Sequence, residues 1–129
     1  MIRILHVEDD ADIREIAELA LSMSGEFELL QCASGQEALE QVEEFRPDVL
    51  LLDMMMPGMS GRETLELMRE NTSIPFVPAI FMTARAQHAE IEKLRACGAA
   101  SVISKPFNPL SLGDQIMEVV EQQRKQLSA

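Results

Sequence analysis

The stretch Asp48-Val49-Leu50-Leu51-Leu52-Asp53-Met54-Met55-Met56-Pro57-Gly58 decides the fold. Val49 to Leu52 are aliphatic without interruption, and an aspartate closes the run on each side. The run is too short for a helix and lacks the alternation of a strand with one wet face. A strand covered on both faces is the reading left, and such strands belong to parallel sheets flanked by helices. The same shortness excludes a membrane span, which needs roughly 20 apolar residues.

Comparable apolar runs occur at 2–7, 26–32, 79–82 and 101–104, and each is followed by residues at helical spacing. Ile13, Ile16, Ala17, Ala20, Leu21 and Ser24 share one helical face, while Asp12, Glu15 and Glu18 point elsewhere. The later faces are Ala38, Leu39, Val42 and Phe45; Thr64, Leu65 and Met68; Ile91, Leu94 and Cys97; and Leu112, Ile116, Val119 and Val120. Local punctuation agrees. Ser34-x-x-Glu37 and Ser60-x-x-Glu63 read as capping boxes. Asn108 reads as a cap with Pro109 at the first helical position, and Gly25 and Gly98 as helix stops. Pro75 and Pro78 set the start of the fourth strand at Ala79.

Strict strand-helix alternation predicts an α/β architecture: a flavodoxin-like, doubly wound (βα)5 unit with helices on both faces of a five-stranded parallel sheet of order 2-1-3-4-5. Strand 2, with Glu26, Glu28 and Gln31, and strand 5, with Ser101 and Ser104, are polar enough to be its edges. A length of 129 residues without repeat or linker fits one domain spanning 1–129.

The 22 acidic against 11 basic side chains give a formal charge of −11, which repels phosphate backbones and argues against direct nucleic-acid binding. The start of the chain has no signal-peptide core, so a cytoplasmic location without a membrane partner is expected. Cys32 and Cys97 lack metal or redox spacing and read as buried, inert thiols.

Ligands of such sheets bind beyond the carboxyl ends of the strands, at the switch between strands 1 and 3. Those ends are Glu8-Asp9-Asp10, Asp53, Thr83 and Lys105-Pro106. Two carboxylates about 4 Å apart repel by roughly 4 kcal/mol at an effective dielectric near 20, so Glu8, Asp9 and Asp53 together ask for a cation. An all-oxygen set suits Mg²⁺, which takes its remaining ligands from water and phosphoryl oxygens. Asp53 can then act as a carboxylate nucleophile on phosphorus, with Lys105 and the Thr83 hydroxyl neutralising and orienting the transferred group.

These residues resemble the response regulator receiver domain of two-component signalling, and a chemotaxis-regulator-like single domain in particular. The resemblance runs from Ile2 to about Gln122 and rests on Glu8-Asp9, on Asp53 through Gly58, on Thr83-Ala84 and on Lys105-Pro106-Phe107. It implies that Asp53 is the phosphoacceptor, Asp9 a direct metal ligand and Glu8 a ligand mainly through water. Met55 contributes its backbone carbonyl to the Mg²⁺, Thr83 binds a phosphoryl oxygen, Lys105 pairs with Asp53 or its phosphoryl group, and the Lys105–Pro106 bond is cis. The implied partners are a sensor histidine kinase or histidine phosphotransfer protein upstream and a protein target on the helix 4, strand 5, helix 5 face. A monomer or a phosphorylation-dependent dimer follows. Val102 stands where the family usually places an aromatic switch residue, which leaves Thr83, the loop 84–88 and helix 4 to report phosphorylation. Met55 and Arg85 replace more polar residues near the site.

Blander readings cover the remaining features. Met54, Met55, Met56 and Met59 fill gaps rather than bind Cu(I), since neighbours on an extended segment point apart. His6 reads as a satisfied core histidine, His88 as a surface residue, Asp10 as the cap of helix 1, and Gly58 and Gly61 as turn and close-approach positions. Two alternatives are an aspartate-nucleophile phosphohydrolase, in which Met55 occupies the position of the usual second aspartate, and a receiver-like adaptor that takes no phosphate.

Overall fold

The computed structural model of the chain describes residues 1–84 and 87–128. Its elements run β1 (Ile2–Val7), α1 (Ala11–Ser22), β2 (Phe27–Cys32), α2 (Gly35–Phe45), β3 (Val49–Asp53), α3 (Gly61–Glu70), β4 (Ala79–Thr83), α4 (His88–Ala96), β5 (Ser101–Ser104) and α5 (Leu112–Ser128). The sheet is parallel throughout, in the order β2-β1-β3-β4-β5. This is the flavodoxin-like doubly wound arrangement, with the two polar strands at its edges as the sequence predicts.

Every residue of β3 and β4 is buried, so alternate side chains feed two separate cores. Leu50, Leu52, Ala79 and Phe81 pack with Ala38, Val42, Leu65, Met68 and Leu94 under α2, α3 and α4. Val49, Leu51, Ile80 and Met82 pack with Ala17, Leu21, Leu112, Ile116 and Val119 under α1 and α5. β3 and β4 each extend one residue beyond the apolar run, which makes Asp53 and Thr83 the last residues of their strands. β2 starts one residue later than the reading from sequence, at Phe27, and the Glu26 carbonyl accepts from the Ile2 N–H at 2.9 Å.

Some local expectations are corrected. Ile16 is 45 % exposed, because the buried stripe of α1 narrows to Ala17 and Leu21. Ser60 and Glu63 form a complete capping box. At α2 only half of one forms: Ser34 Oγ accepts from the Glu37 N–H, but Glu37 Oε2 accepts from Ala33 rather than from Ser34. Asn108 Oδ1 accepts from Leu110, capping a tight turn at 109–111 that precedes the first residue of α5, Leu112. Of the cysteines, Cys32 is buried and its thiol is pushed up to about 11 by burial and the nearby Glu37. Cys97 is only half-buried.

Gly61 opens α3 directly against the end of β3, where its N–H donates to the Met54 carbonyl at 3.2 Å. A Cβ there would collide with the Asp53 carbonyl oxygen and lie 2.9 Å from its carbon. Both obstacles are backbone, so neither can swing aside. Gly61→Ala is therefore expected to destabilise the fold by about 2 kcal/mol, as overpacking does, with a matching fall in the urea midpoint. Gly61 is thus a close-approach position and Gly58, at φ +80°, a left-handed turn, as their sequence context suggests.

Candidate functional site

The pairing register brings the acids together. Val7 lies beside Leu52 and Leu52 beside Phe81, so the next residues, Glu8 after β1 and Asp53 at the end of β3, meet at the top of the sheet. Carboxylate oxygens of Glu8, Asp9 and Asp53 all lie within 4.8 Å of one another. Glu8 is fully buried and Asp53 is 2 % exposed, whereas Asp9 faces solvent. Lys105, just beyond β5, enters this group with Nζ 2.9 Å from Asp53 Oδ1 and 2.8 Å from Glu8 Oε1. The first contact is a hydrogen bond. The second is an ion pair without hydrogen-bond alignment, which leaves Glu8 Oε1 without an aligned donor.

One cation facing two buried carboxylates leaves the group electron-rich. Burial, followed by its bond to Asp53, raises the Glu8 carboxyl to about 7, against the opposing pull of Lys105. Burial draws the Lys105 ammonium down, but its pairing with the Glu8 and Asp53 carboxylates outweighs this and raises it. A hard, all-oxygen donor set with one exposed member and a buried Glu8 oxygen that lacks an aligned donor among the described residues fits a divalent cation such as Mg²⁺.

The remaining sequence-predicted residues fall around this centre. Thr83 ends the neighbouring strand and is 5 % exposed. The Met55 N–H donates to Asp53 Oδ1 at 3.4 Å, while its side chain is 79 % exposed. Met56 is buried, Met54 packs half-buried against the same core, and Met55 between them is exposed, so adjacent methionine side chains point apart. Asp10 turns away from the acids and caps α1, accepting from the N–H groups of Asp12 and Ile13. His88 opens α4 on the surface, with Nε2 3.0 Å from Glu92. The Lys105–Pro106 bond is cis. Arg85 and part of the loop 84–88 lie outside the described residues.

His6 departs from the expectation of a satisfied core residue. It is wholly buried, its Nδ1 lies 3.1 Å from Gln31 Nε2, and its Nε2 has no partner among the described residues. Burial, then the Lys105 charge, lowers it to about 4. Gln31 and Arg14 are the residues that sequence reasoning missed. Gln31 reads as edge-strand polarity, and it is the strand pairing of His6 with Gln31, together with the bond from Gln31 Nε2 to the Arg14 carbonyl, that joins the three residues.

The two buried groups impose opposite pH dependences. His6 titrates lower in the folded chain than in the unfolded one, so its contribution is full above pH 6.5 and is lost as the pH falls toward 4. Glu8 titrates higher in the folded chain, so its contribution is full below pH 4.5 and is lost as the pH rises toward 7. In Mg²⁺-free buffer the slopes offset each other. Glu8→Gln removes one of them, and stability is then expected to climb by about 3 kcal/mol more than in the parent between pH 4.5 and 7. Urea midpoints at four or five pH values measure this, and parallel curves for parent and variant would refute it.

Known proteins share both sequence and fold. The family profile described as the response regulator receiver domain matches residues 4–117. The phosphate regulon transcriptional regulatory protein PhoB of Klebsiella pneumoniae is 35 % identical over 118 residues, covering 92 % of this chain and 51 % of that protein. The transcriptional regulatory protein YvrH of Bacillus subtilis is 39 % identical over 113 residues, covering 88 % and 46 %. The chain spans about half the length of these curated relatives. Among solved structures, the chemotaxis response regulator CheY4 of Vibrio cholerae superposes with a TM-score of 0.84 at 31 % identity, over 92 % of this chain and 98 % of that one. A CheY-like receiver domain protein of Methanospirillum hungatei gives 0.83 at 29 % identity, with 98 % of both chains covered. A chain matched from residue 4 to residue 117, and superposing on these folds over nearly its whole length, belongs to the response regulator receiver domain family.

Proposed function

We infer that the chain is a phosphorylation-controlled signalling switch that accepts a phosphoryl group on Asp53 from a histidine kinase or a histidine phosphotransfer protein. The observation that carries this reading is the meeting of Asp53 with Lys105 at 2.9 Å and with two further acids within 4.8 Å at one strand-end rim. A carboxylate oxygen of Asp53 attacks phosphorus. The bond from phosphorus to the donor breaks, its electron pair leaves with the imidazole or, for a small donor, with the acetate, and an acyl phosphate remains on Asp53. Mg²⁺ would be held by Asp9, Asp53 and the Met55 carbonyl, with Glu8 mainly through water, and would supply charge neutralisation between the two anions. Lys105 holds the nucleophile in place and then pairs with the phosphoryl group. The Thr83 hydroxyl donates to a phosphoryl oxygen. Met55 carries no proton-transfer group, so the phosphohydrolase alternative lacks its acid-base residue.

Output follows from protein contacts on the α4, β5, α5 face. Val102 on β5 is half-buried against the α2–α4 core and has no ring to reorient, so Thr83 and α4 report the modification. Free and phosphorylated forms with α4 in the same position would remove that part of the reading. A relative of this chain is named a DNA-binding response regulator, MtrA of Mycobacterium tuberculosis, and the aligned region covers 46 % of it. The net charge of −11 argues that the region shared with this chain does not itself contact nucleic acid. Among the described residues, no helix is long and apolar enough to cross a membrane.

Incubation with Mg²⁺ and acetyl phosphate tests the central assignment. A mass gain of one phosphoryl group, removed by hydroxylamine and absent when the divalent ion is chelated, is the expected result. No gain with any donor would leave the adaptor reading in its place.

A further inference from the structure

His6 is an expensive residue to bury as it stands. A fully buried N–H without an acceptor costs about 1–3 kcal/mol, and an aliphatic side chain in β1 would avoid this. The ring's tautomer follows from its neighbours. Gln31 Nε2 lies 2.8 Å from the Arg14 carbonyl, which can only accept, so that atom is the amide nitrogen. Its second proton then goes to His6 Nδ1 at 3.1 Å, and the ring proton sits on Nε2. The neutral ring therefore serves as an acceptor.

The bonds form a circuit. From His6 on β1 it passes to Gln31 on β2, then to Arg14 on α1, and the Arg14 guanidinium returns to the residue just after β1 by donating to the Glu8 carbonyl at 2.8 Å. Both amide protons of Gln31 are used, one on each side. The pinned carbonyl belongs to the peptide that links Glu8 to Asp9. Glu8 is fixed by burial, but Asp9 faces solvent, so the backbone before it is what decides where its carboxylate points.

We propose that His6, Gln31 and Arg14 act together as positioning residues that orient the Glu8–Asp9 peptide and so present the Asp9 carboxylate to a divalent cation shared with Asp53. This rests on the metal role given above to Glu8, Asp9 and Asp53. Isothermal titration with magnesium chloride on the unphosphorylated full chain reads the effect. Gln31→Met keeps side-chain volume and removes both bonds, and Mg²⁺ affinity is expected to fall about tenfold, in the range of supporting residues around metal ligands. Arg14→Met is expected to act alike and gives a second variant on a surface helix if the first folds poorly. The decisive measurement repeats Gln31→Met in an Asp9→Asn background. A positioning role predicts little further loss there, because the group being oriented is gone. Undiminished affinity in both single variants, or the same tenfold loss in both backgrounds, overturns the proposal. Asp9→Asn that leaves Mg²⁺ affinity at the parent value refutes the metal assignment itself, and the proposal with it.

Discussion

Asp53→Asn is expected to abolish the hydroxylamine-labile mass gain from acetyl phosphate, with the rate of modification falling at least about 10³-fold, as removal of a nucleophile does. The substitution keeps the shape of the side chain and an acceptor oxygen for the Lys105 ammonium, so the fold is retained. It also removes the bond and charge that help raise the Glu8 carboxyl, which then titrates lower. Two readouts thus move together: intact-protein mass after incubation with donor, and the pH dependence of stability without Mg²⁺. Modification of the variant at the parental rate would show that another side chain takes the phosphoryl group.

Lys105→Met produces the second large effect. The parent places one ammonium against two carboxylates that are 0 % and 2 % exposed. Breaking a buried ion pair by removing one partner costs about 3–5 kcal/mol, because the charge left behind is neither paired nor hydrated. In chelator at pH 8 the variant is expected to lose stability on that scale. Two conditions should restore much of it. Lowering the pH protonates Glu8, whose carboxyl already titrates near 7 with Lys105 present. Adding Mg²⁺ replaces the missing positive charge. A variant as stable as the parent in chelator at pH 8 would show that the lysine is not needed to offset the acids.

The fold was legible because its signals are local. Uninterrupted aliphatic runs at 2–7 and 49–52, glycine stops with positive φ at Gly25 and Gly98, and prolines ahead of Ala79 each constrain the backbone without reference to distant residues. That Glu8, Asp9, Asp53 and Lys105 would meet at one rim was legible because strand ends in a parallel sheet fall along one edge. What escaped depends on relations between segments. That Glu8 is buried while Asp9 is exposed follows from the pairing of β1 with β3, and the spacing of the two acids does not contain it. Arg46 ends α2 at φ 54°, a conformation usually left to glycine, and the following Pro47 is the only trace of that stop in the sequence. Gln31 looked like the polarity of an edge strand, yet its amide crosses to His6, a partner 25 residues away.

The lysine that balances the acids hangs from the least secured part of the sheet. β5 is four residues long and pairs with β4 alone, and Lys105 follows it immediately. Short edge segments open by themselves more often than the molecule unfolds as a whole. Each such fraying event carries the counter-charge out of the rim while Glu8 and Asp53 stay behind in the rigid interior. Amide exchange at 101–105 should therefore quicken when a divalent ion is supplied, because the ion takes over the charge that the frayed strand removes from Glu8 and Asp53.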